Sequence, residues 1–369
     1  MIKASIIGAT GYVGIELIRL LQKHPRVELN ELVSNSRAGS KLIDVYPQFR
    51  GSQVADYYLK DLSEFEVKDN DIIFTALPHG VSQNIVAELF DQGVKIIDLS
   101  GDFRYHDTDL YTEWYGIEHN FSELACKAVY GLSEFNRSAI KKASLVANPG
   151  CYVTASLLAL LPLVNFSKAD LSSIIIDAKS GVSGAGKSLK QDLLFTESYN
   201  TMKAYSPGTH RHSSEIEYIL NRFLEQSYFQ SEFGSEFLAL HNFNSANNQK
   251  ATVLFTPHLV PVKRGIFATI YLKLNAESSK EELTELYNSF YETEKFIQLI
   301  PDSLPELKYV AGSNYVQLGF RYNKRTDQVI ILSALDNMLK GAAGQAVQNM
   351  NIMFNLAEET GLEATALFP

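Results

Sequence analysis

The sequence predicts two domains, a doubly wound α/β sheet followed by an α+β domain, with the last helix returning to the first domain. The chain has 369 residues, which is more than one domain usually holds. Over residues 1–150, short β-branched runs alternate with helical segments, as in βαβ units of a parallel sheet. After about residue 165 the strands are longer and fewer helices separate them. This change indicates a mixed or antiparallel sheet with helices on one face.

Local patterns predict each element of the first domain. Apolar residues at helical spacing predict helices in IELIRLLQKH, which ends before Pro25, and in VSQNIVAELFDQG, where Gly93 is a C-cap. A third helix, in VTASLLALLPLV, is apolar on all sides and therefore buried. The predicted strands are IKASIIGA, RVELNELVSN, NDIIFTALP, VKIIDLSGD and ASLVANPG.

The second domain is predicted to contain long strands and helices over about 213–226 and 279–292. A last helix, 337–357, is rich in Gly and Ala on one side, which permits close packing against the first domain. We therefore assign 1–150 and 334–369 to the first domain and 151–333 to the second. Residues 225–250 are polar and irregular and indicate a surface insertion. The predicted strands are LSSIIIDAKSG, KATVLFTPHLVPV, GIFATIYLKLN and SNYVQLGFRYNKRTDQVIILSAL.

Composition excludes several classes of protein. The net charge of -9 disfavours nucleic acid as a partner, because phosphate binding needs a basic face. Two cysteines cannot form a disulfide framework, and no apolar run reaches the length of a membrane span. The N-terminus has no signal-peptide pattern. We expect a soluble cytoplasmic protein with no membrane or nucleic-acid partner.

A glycine-rich loop, GATGYVG, connects the first strand to the first helix. Gly8, Gly11 and Gly14 follow GxxGxxG spacing, which is weak by itself, but the strand-to-helix context favours a dinucleotide site over a ligand-free turn. At the end of the second strand, Ser34, Ser36 and Arg37 stand where an acidic residue would select NAD. Hydroxyls and a guanidinium suit a 2′-phosphate and favour NADP, the alternative being a solvated loop.

Cys151 follows Asn-Pro-Gly at the start of the apolar helix. A helix N-terminus favours the thiolate, which is the nucleophilic form of cysteine. A buried structural cysteine is the commoner case, but beside a dinucleotide loop a catalytic thiol is favoured. The chemistry would be thioester formation coupled to hydride exchange. Cys126 has no such setting and is interpreted as structural.

Such a thiol needs an acid–base partner, and the pair His210 and His212 in GTHRHSSEIE is the strongest candidate. Their alternate spacing places both rings on one side of an extended segment. Zinc binding is disfavoured because no third ligand is near in sequence, so no metal is expected; a surface loop is the other alternative. His79 is expected to contact cofactor or shape its loop, and His258, on a strand, could face the site. Arg104, at the end of a strand, could hold an anionic group.

A second glycine-rich stretch, GVSGAGKS at 181–188, formally fits the P-loop pattern GxxxxGK[ST]. A P-loop NTPase is therefore the alternative function from another class. The order of elements around the stretch and the lack of an evident Walker B strand disfavour it. An oxyanion or phosphate pocket and a simple Gly-rich turn remain open.

The motifs together resemble the N-acetyl-γ-glutamyl-phosphate reductases of arginine biosynthesis, within the aspartate-semialdehyde dehydrogenase superfamily. They occur in the family's order over nearly the whole chain. The resemblance implies a Rossmann-type NADP domain, an acyl-phosphate reductase reaction and a homo-oligomer, dimer or tetramer. The matching stretches are GATGYVG, SNSRAGS, ALPHGVS, DLSGDFR, YGLSE, NPGCY, DAKSGVSGAGK, HRHSSEI, TPHLVPVKRGI, GSNYV and DNMLKGAAGQAVQNMN.

The resemblance also implies roles for individual residues. Cys151 matches the nucleophile and His212 the acid–base residue. Substrate contacts would come from His210, Arg211, Arg104 and Asn148. Cofactor contacts would come from Gly8, Thr10, Gly11, Tyr12, Val13, Gly14, Ser34, Ser36, Arg37, Pro78, His79, Ser180, Gly181 and Asn337.

Three positions depart from the family pattern, because Ser133, Val153 and Ser214 stand where prolines are usual. None of them removes a reacting group, so the reaction class is kept. The acyl group stays open between acetyl and related substrates, such as succinylated or aminoadipyl analogues. A non-catalytic nucleotide sensor is a further alternative.

Overall fold

The computed structural model describes residues 1–164, 166–225 and 250–367, which form two compact units. The first unit is Met1–Pro149 with Ala342–Glu363, and the second is Gly150–Gly341 with Ala364–Pro369. Residues 334–341, predicted in the first domain, make their contacts in the second unit. Of the predicted insertion at 225–250, residues 226–249 lie outside the described residues.

The described chain contains the following strands and helices. The strands are β1 Ile2–Ile7, β2 Val27–Val33, β3 Leu59–Lys60, β4 Ile72–Thr75, β5 Lys95–Asp98, β6 Val129–Tyr130, β7 Leu145–Ala147, β8 Ala169–Gly181, β9 Lys203–Ala204, β10 Val253–Val260, β11 Ile266–Leu274, β12 Ile297–Leu299, β13 Val316–Asn323 and β14 Gln328–Leu335. The helices are α1 Tyr12–Leu21, α2 Leu42–Val45, α3 Ser82–Phe90, α4 Thr108–Tyr115, α5 Ser122–Lys127, α6 Ser133–Lys142, α7 Cys151–Val164, α8 Phe195–Ser198, α9 Arg211–Leu224, α10 Lys280–Tyr291 and α11 Gly344–Met353.

The first unit is built on a parallel seven-stranded sheet with the order β3-β2-β1-β4-β5-β7-β6. The predicted doubly wound sheet is therefore confirmed. The strand order reverses between β1 and β4, so the loops that follow these two strands flank the topological switch point. Ligands of such sheets bind at the carboxyl ends of the strands at this point. The glycine loop and the loop with His79 are the two loops concerned.

The last helix, α11, packs against α6 and α1 of the first unit, as the sequence predicted. Polar side chains make specific contacts in this packing. The Nε2 of Gln345 donates to the carbonyl of Gly131 at 3.0 Å, and the Ser133 hydroxyl donates to Asn349 Oδ1 at 2.7 Å. The α-helix is shorter than the predicted 337–357, because a π-helical turn at Leu339–Ala343 precedes it.

The second unit contains a mixed seven-stranded sheet with the order β12-β13-β14-β11-β8-β10-β9. The pairs β8–β10 and β12–β13 are parallel, and the others are antiparallel. Helices α7 and α9 cover one face, and α7 is buried almost throughout. Alternate residues of β11 are fully buried, while the intervening ones stay accessible. This alternation leaves the second face of the sheet open, with Ile175 40% and Leu254 55% exposed. Within the described ranges, no helix is long and apolar enough to cross a bilayer.

Candidate active site

The glycine loop between β1 and α1 is closed by backbone contacts that leave no room for side chains at two of its three glycines. Gly8 has φ +90°, and a Cβ there would lie 2.3 Å from the Ala76 carbonyl oxygen. A Cβ on Gly14 would lie 2.3 Å from the Gly8 oxygen. Gly11, the N-cap of α1, has 3.5 Å to its nearest neighbour and lacks a side-chain cap. Gly8 and Gly14 therefore serve the turn itself, and Gly11 leaves the amino end of α1 open.

The predicted 2′-phosphate residues follow β2 but have different environments. Ser34 is 6% exposed, and its hydroxyl lies 2.6 Å from the hydroxyl of Thr10 in the glycine loop. Ser36 and Arg37 are exposed in a 3-10 turn. The exposed guanidinium is free to approach a ligand at this edge, whereas Ser34 mainly links the β2 end to the loop. Their contacts with cofactor remain predictions.

The loop after β4 carries Pro78 and His79 and is held from the end of β5. The carboxylate of Asp102 accepts from the backbone N–H of Gly80 at 2.9 Å. The Nδ1 of His79 accepts from the backbone N–H of Gly101 at 2.8 Å. The accepting Nδ1 places the proton of the neutral imidazole on Nε2. The backbone that presents His79 is therefore pinned at the switch point.

Two buried carboxylates, Asp98 and Asp102, organise this edge of the sheet. Asp102 also accepts from the Gln83 backbone at 3.1 Å and from the Tyr111 hydroxyl at 2.9 Å, so it caps α3 from a neighbouring segment. Burial raises the pKa of both carboxyls, and the mutual repulsion of the pair adds to the shift for Asp98. The hydroxyl groups that donate to Asp98 belong to Thr75, Ser82 and Ser100.

Arg104 and Asn148, predicted substrate residues, are both buried in the first unit. The Nε of Arg104 donates to the carbonyl of Asn148 at 2.8 Å, and Nη2 donates to the Leu99 carbonyl at 3.3 Å. The Oδ1 of Asn148 accepts from Asn349 of α11 at 3.2 Å. The structure brings the two residues together, and their role toward substrate stays a prediction.

Cys151 is the first residue of α7 in the second unit, as the sequence predicted. The preceding turn is held by Glu215, a fully buried residue whose Oε1 accepts from the Gly150 backbone N–H at 3.0 Å. The Gly150 carbonyl in turn accepts from the Thr154 backbone at 2.8 Å. The thiol is partly exposed, and the first N–H groups of a helix are oriented toward such a position. These groups can stabilise negative charge on sulfur or on an oxygen bonded to the attacked carbon.

His210 and His212 lie at the start of α9, with ring centroids 4.7 Å apart. His210 is the N-cap, and its Nδ1 accepts from the His212 backbone N–H at 3.1 Å. The prediction of an extended segment was wrong, because the helix already begins at Arg211. Arg211 itself is exposed. The rings still converge, since the N-cap and the second helical residue project to the same side of this turn.

An aromatic cluster connects the histidines to the cysteine turn. The ring of Tyr152, the residue after Cys151, lies 6.0 Å from that of His210 and 5.9 Å from that of His212. The Tyr205 hydroxyl donates to the Tyr152 hydroxyl at 3.1 Å. Burial raises the pKa of Tyr205 to about 12 and also raises the pKa of Tyr152, so both phenols stay protonated at neutral pH. The cluster can therefore exclude water from the histidines without adding charge.

His210 is held in its neutral form, with a consequence for stability. Burial, aided by the charge of Arg211, lowers its pKa to about 4 from an ordinary 6.5. Because Nδ1 accepts a hydrogen bond, the neutral ring carries its proton on Nε2 and can donate there to a substrate oxygen.

We expect His210→Asn to flatten the dependence of stability on acid. Between pH 6.5 and 4, His210 becomes protonated in the unfolded state but stays neutral in the folded state. The free energy of unfolding therefore falls across this window, by about 2–3 kcal/mol from this group, and is unaffected above it. Chemical denaturation at several pH values measures the effect. Since burial also lowers the pKa of His24 and His119, the difference between wild type and variant isolates His210. Parallel curves would contradict the assignment.

The glycine-rich stretch after β8 does not form a P-loop. A P-loop needs a helix that begins at its Gly-Lys-Ser residues. Here a 3-10 turn at Val182–Ala185 comes first, and Lys187 and the residues after it are exposed and lack a long helix. The formal pattern match is therefore misleading, and the NTPase alternative loses its structural basis.

Ser180, Gly181 and Asn337, the remaining predicted cofactor residues, lie together in the second unit. Asn337 is 2% exposed; its Oδ1 accepts from the Gly265 backbone at 2.7 Å and its Nδ2 donates to the Ser183 hydroxyl at 3.0 Å. A Cβ on Gly181 would lie 2.8 Å from the Val262 carbonyl oxygen, so a glycine is required there. These contacts give Gly181 and Asn337 structural roles, and the part of all three residues in cofactor binding remains a prediction.

His258 does not face the cysteine turn. Phe255 on β10 contacts Tyr152, with ring centroids 5.3 Å apart, so the side chains of odd-numbered residues point toward the helices. His258 therefore projects from the opposite, open face, where its Nδ1 lies 3.1 Å from Asp177. Within the described ranges, no three His, Cys, Asp or Glu side chains cluster as metal ligands would.

Two family models match consecutive parts of the chain. The semialdehyde dehydrogenase NAD binding domain matches residues 3–143, and the semialdehyde dehydrogenase dimerisation domain matches residues 151–337. The N-acetyl-gamma-glutamyl-phosphate reductase of Halothermothrix orenii is 53% identical over 370 residues and covers 100% of both chains. The chain belongs to this reductase family. It is thus an enzyme of the semialdehyde dehydrogenase type.

A second reductase and two solved structures of lower sequence identity are also similar to this chain. The N-acetyl-gamma-glutamyl-phosphate reductase of Caldicellulosiruptor bescii is 47% identical and covers 98% of each chain. Aspartate semialdehyde dehydrogenase II of Vibrio cholerae has a TM-score of 0.70 at 19% identity, covering 96% of this chain and 98% of its own. The enzyme of Candida albicans, solved with NADP, has a TM-score of 0.68 at 19% identity, covering 96% and 98%. At this identity the structural likeness shows the fold.

The three prolines usual in the reductase family are replaced in the first turns of helices. Ser133 begins α6, Val153 is the third residue of α7, and Ser214 is the fourth of α9. A proline is compatible with a first helical turn but is not required there. The three helices therefore begin at these positions without it. Ser214 uses its hydroxyl to donate to the Arg211 carbonyl at 2.8 Å.

The sequence did not single out three carboxylates that position predicted residues of this reductase. Glu215 holds the cysteine turn, and Asp98 and Asp102 hold the loops after β4 and β5. The motifs HSSE and DLSGD contain them, but an acidic residue near a motif does not show which distant backbone group it will accept from.

Proposed function

We propose that this chain reduces N-acetyl-glutamyl 5-phosphate with NADPH to N-acetyl-glutamate 5-semialdehyde and phosphate, in arginine biosynthesis, through a thioester at Cys151. The observation that carries the proposal is a cysteine at the first position of a buried helix, with a histidine pair grouped around the next residue, in a chain that belongs to the reductase family. The free cysteines agree with a reducing compartment, so the enzyme is assigned to the cytoplasm.

The residues of the first unit fit a dinucleotide. The open space at Gly11 and the uncapped amino end of α1 suit a pyrophosphate, and the exposed Arg37 suits a 2′-phosphate. When bound, the reduced nicotinamide supplies the hydride that converts the thioester to a thiohemiacetal.

The residues of the second unit perform the covalent steps. The Cys151 thiolate attacks the acyl carbon, a C–S bond forms, and the C–O bond to phosphate breaks. His212 acts as the general acid–base residue. The neutral His210 donates a hydrogen bond from Nε2 to a substrate oxygen. Collapse of the thiohemiacetal breaks the C–S bond and releases the aldehyde, restoring the thiol.

The reverse reaction tests the proposal. Purified enzyme is mixed with N-acetyl-glutamate semialdehyde, phosphate and NADP, and the absorbance of reduced nicotinamide is followed. A phosphate-dependent rise is expected. If absorbance rises only with the N-succinyl or aminoadipyl analogue, that analogue is the substrate and the N-acetyl assignment is wrong. If it rises with none of them, although the protein binds NADP, the proposed reaction is wrong and a nucleotide sensor is favoured.

We expect Arg37→Ala to raise the KM for NADP about 10- to 100-fold and to leave the KM for NAD unchanged, because only NADP carries the 2′-phosphate. Arg26 is the matched control: it is also exposed and precedes β2, whereas Arg37 follows that strand. Arg26→Ala should behave as wild type with both cofactors. Equal losses with NAD and NADP would contradict the proposed selection.

We propose further that the enzyme forms a homodimer, or a tetramer built from such dimers, through the open face of the second-unit sheet. The match of residues 151–337 to a dimerisation domain supports this, as do the exposed Ile175 and Leu254. These two residues are paired on neighbouring strands, so they form a continuous apolar area.

A further inference from the structure

Residues 187–202, here called the arm, leave the main body of the second unit between β8 and β9. Their apolar side chains point into solvent: Leu189 is 95%, Phe195 73%, Tyr199 64% and Met202 60% exposed. Large apolar side chains this exposed and this close together are unusual on a surface that stays in water. None of them has a role in the proposed reaction.

The arm contains local contacts of its own. Asp192 and Lys203 form an ion pair at 2.7 Å across its base. A helical turn, α8, places Phe195 and Tyr199 one turn apart, and their rings stack at 4.8 Å. The stacked rings of Phe195 and Tyr199 therefore form one exposed apolar surface on the arm.

The arm is continuous with the open sheet face. It leads into β9, the outermost strand, which pairs with β10. Gly208, shortly after the arm, lies beside the exposed side chain of Leu254 on β10. The whole arm also falls within the stretch that matches a dimerisation domain.

We propose that the arm packs its apolar side chains onto a second copy of this chain and so extends the dimer contact beyond the open sheet face. The inference rests on the proposed dimer and names a further part of its surface. A second copy is the occupant because the arm leads into β9, which pairs with β10 of that face, and because burying both together removes one connected apolar surface from water.

Sedimentation equilibrium of wild type and Phe195→Glu over a range of concentrations tests the proposal. The variant should raise the dimer dissociation constant at least about tenfold, since a charge would be buried at the contact. Tyr58→Glu is the control: Tyr58 is 60% exposed on the first unit, outside the dimerisation domain, and its variant should match wild type.

A labelling experiment separates the arm from the dimer itself. In a background that carries both Cys126→Ser and Cys151→Ser, maleimide should label the F195C thiol more slowly when the protein is dimeric than after dilution to monomer, and label the Y58C thiol equally fast in both. A wild type that is monomeric at all concentrations would overturn both proposals. A dimer that F195E does not weaken, with unprotected F195C, would overturn the arm contact alone. Protection by NADP and substrate rather than by concentration would make the arm a lid instead.

Discussion

Cys151→Ser should lower kcat by at least about 10³-fold while leaving the Kd for NADP within about twofold of wild type. A serine hydroxyl is almost wholly protonated at neutral pH and is a poor nucleophile without a strong base, whereas a cysteine is partly thiolate. The turn should survive the substitution, because its described hydrogen bonds join Gly150 to Glu215 and to Thr154 through backbone and carboxylate atoms. Steady-state kinetics and NADP titration measure the two quantities.

Cys126→Ser is the matched control. This cysteine is exposed, and its thiol donates to the His106 carbonyl at 3.8 Å. The kcat of the Cys126→Ser variant should equal that of wild type. Mass spectrometry after addition of acyl phosphate without cofactor should show an acyl group on Cys151. A Cys151→Ser enzyme that keeps most of its activity, or acylation at Cys126, would show the covalent mechanism to be wrong.

Gly14→Ala and Gly11→Ala should separate two roles of glycine within one loop. The first change forces a Cβ to 2.3 Å from the Gly8 oxygen, a backbone atom that cannot move aside cheaply. Alanine usually gains about 1 kcal/mol over glycine in a helix, but overpacking typically costs about 1–3 kcal/mol, and a contact this short with backbone belongs at the upper end of that range, so the clash prevails. We expect Gly14→Ala to lower the melting temperature even without cofactor.

Gly11→Ala has an ordinary 3.5 Å contact and an extended backbone at φ −73°, so its melting temperature without cofactor should stay near that of wild type. Its Cβ would occupy the space through which a pyrophosphate approaches the helix, so the Kd for NADP should rise at least about tenfold. Thermal melting with and without NADP measures both effects. Unchanged NADP binding by Gly11→Ala would show that the cofactor does not approach there, and a Gly14→Ala protein as stable as wild type would contradict the packing role.

The sequence pattern predicted correctly those elements whose structure depends on residues close together in the chain. The βαβ alternation predicted the parallel sheet, and the apolar run after Cys151 predicted a buried helix. Small residues along the last helix predicted its packing on the first unit, which the contacts with α6 confirm. In each case burial follows from periodicity, and periodicity is a property of the sequence.

Errors arose where the backbone near a motif is decided by a partner distant in sequence. The segment with His210 and His212 looked extended, but it starts a helix whose Glu215 reaches back to Gly150. The last α-helix begins late, and before it Asp336 accepts from the Met338 backbone and from Arg264. Neither carboxylate could be assigned its partner from spacing alone.

The sequence by itself determined the fold class, the thiol at a helix start, the glycine-rich turn between β1 and α1 and the family of this reductase, because these depend on local periodicity and on motifs in order. Only the tertiary structure decided that His210 is neutral, that His258 faces away from the cysteine turn, and that Asp102 holds the His79 loop. Burial, strand facing and long-range hydrogen bonds depend on which segments meet in space. The spacing of residues along the chain does not predict these long-range contacts. The free energy of each buried polar group depends on neighbours that are brought close only by folding.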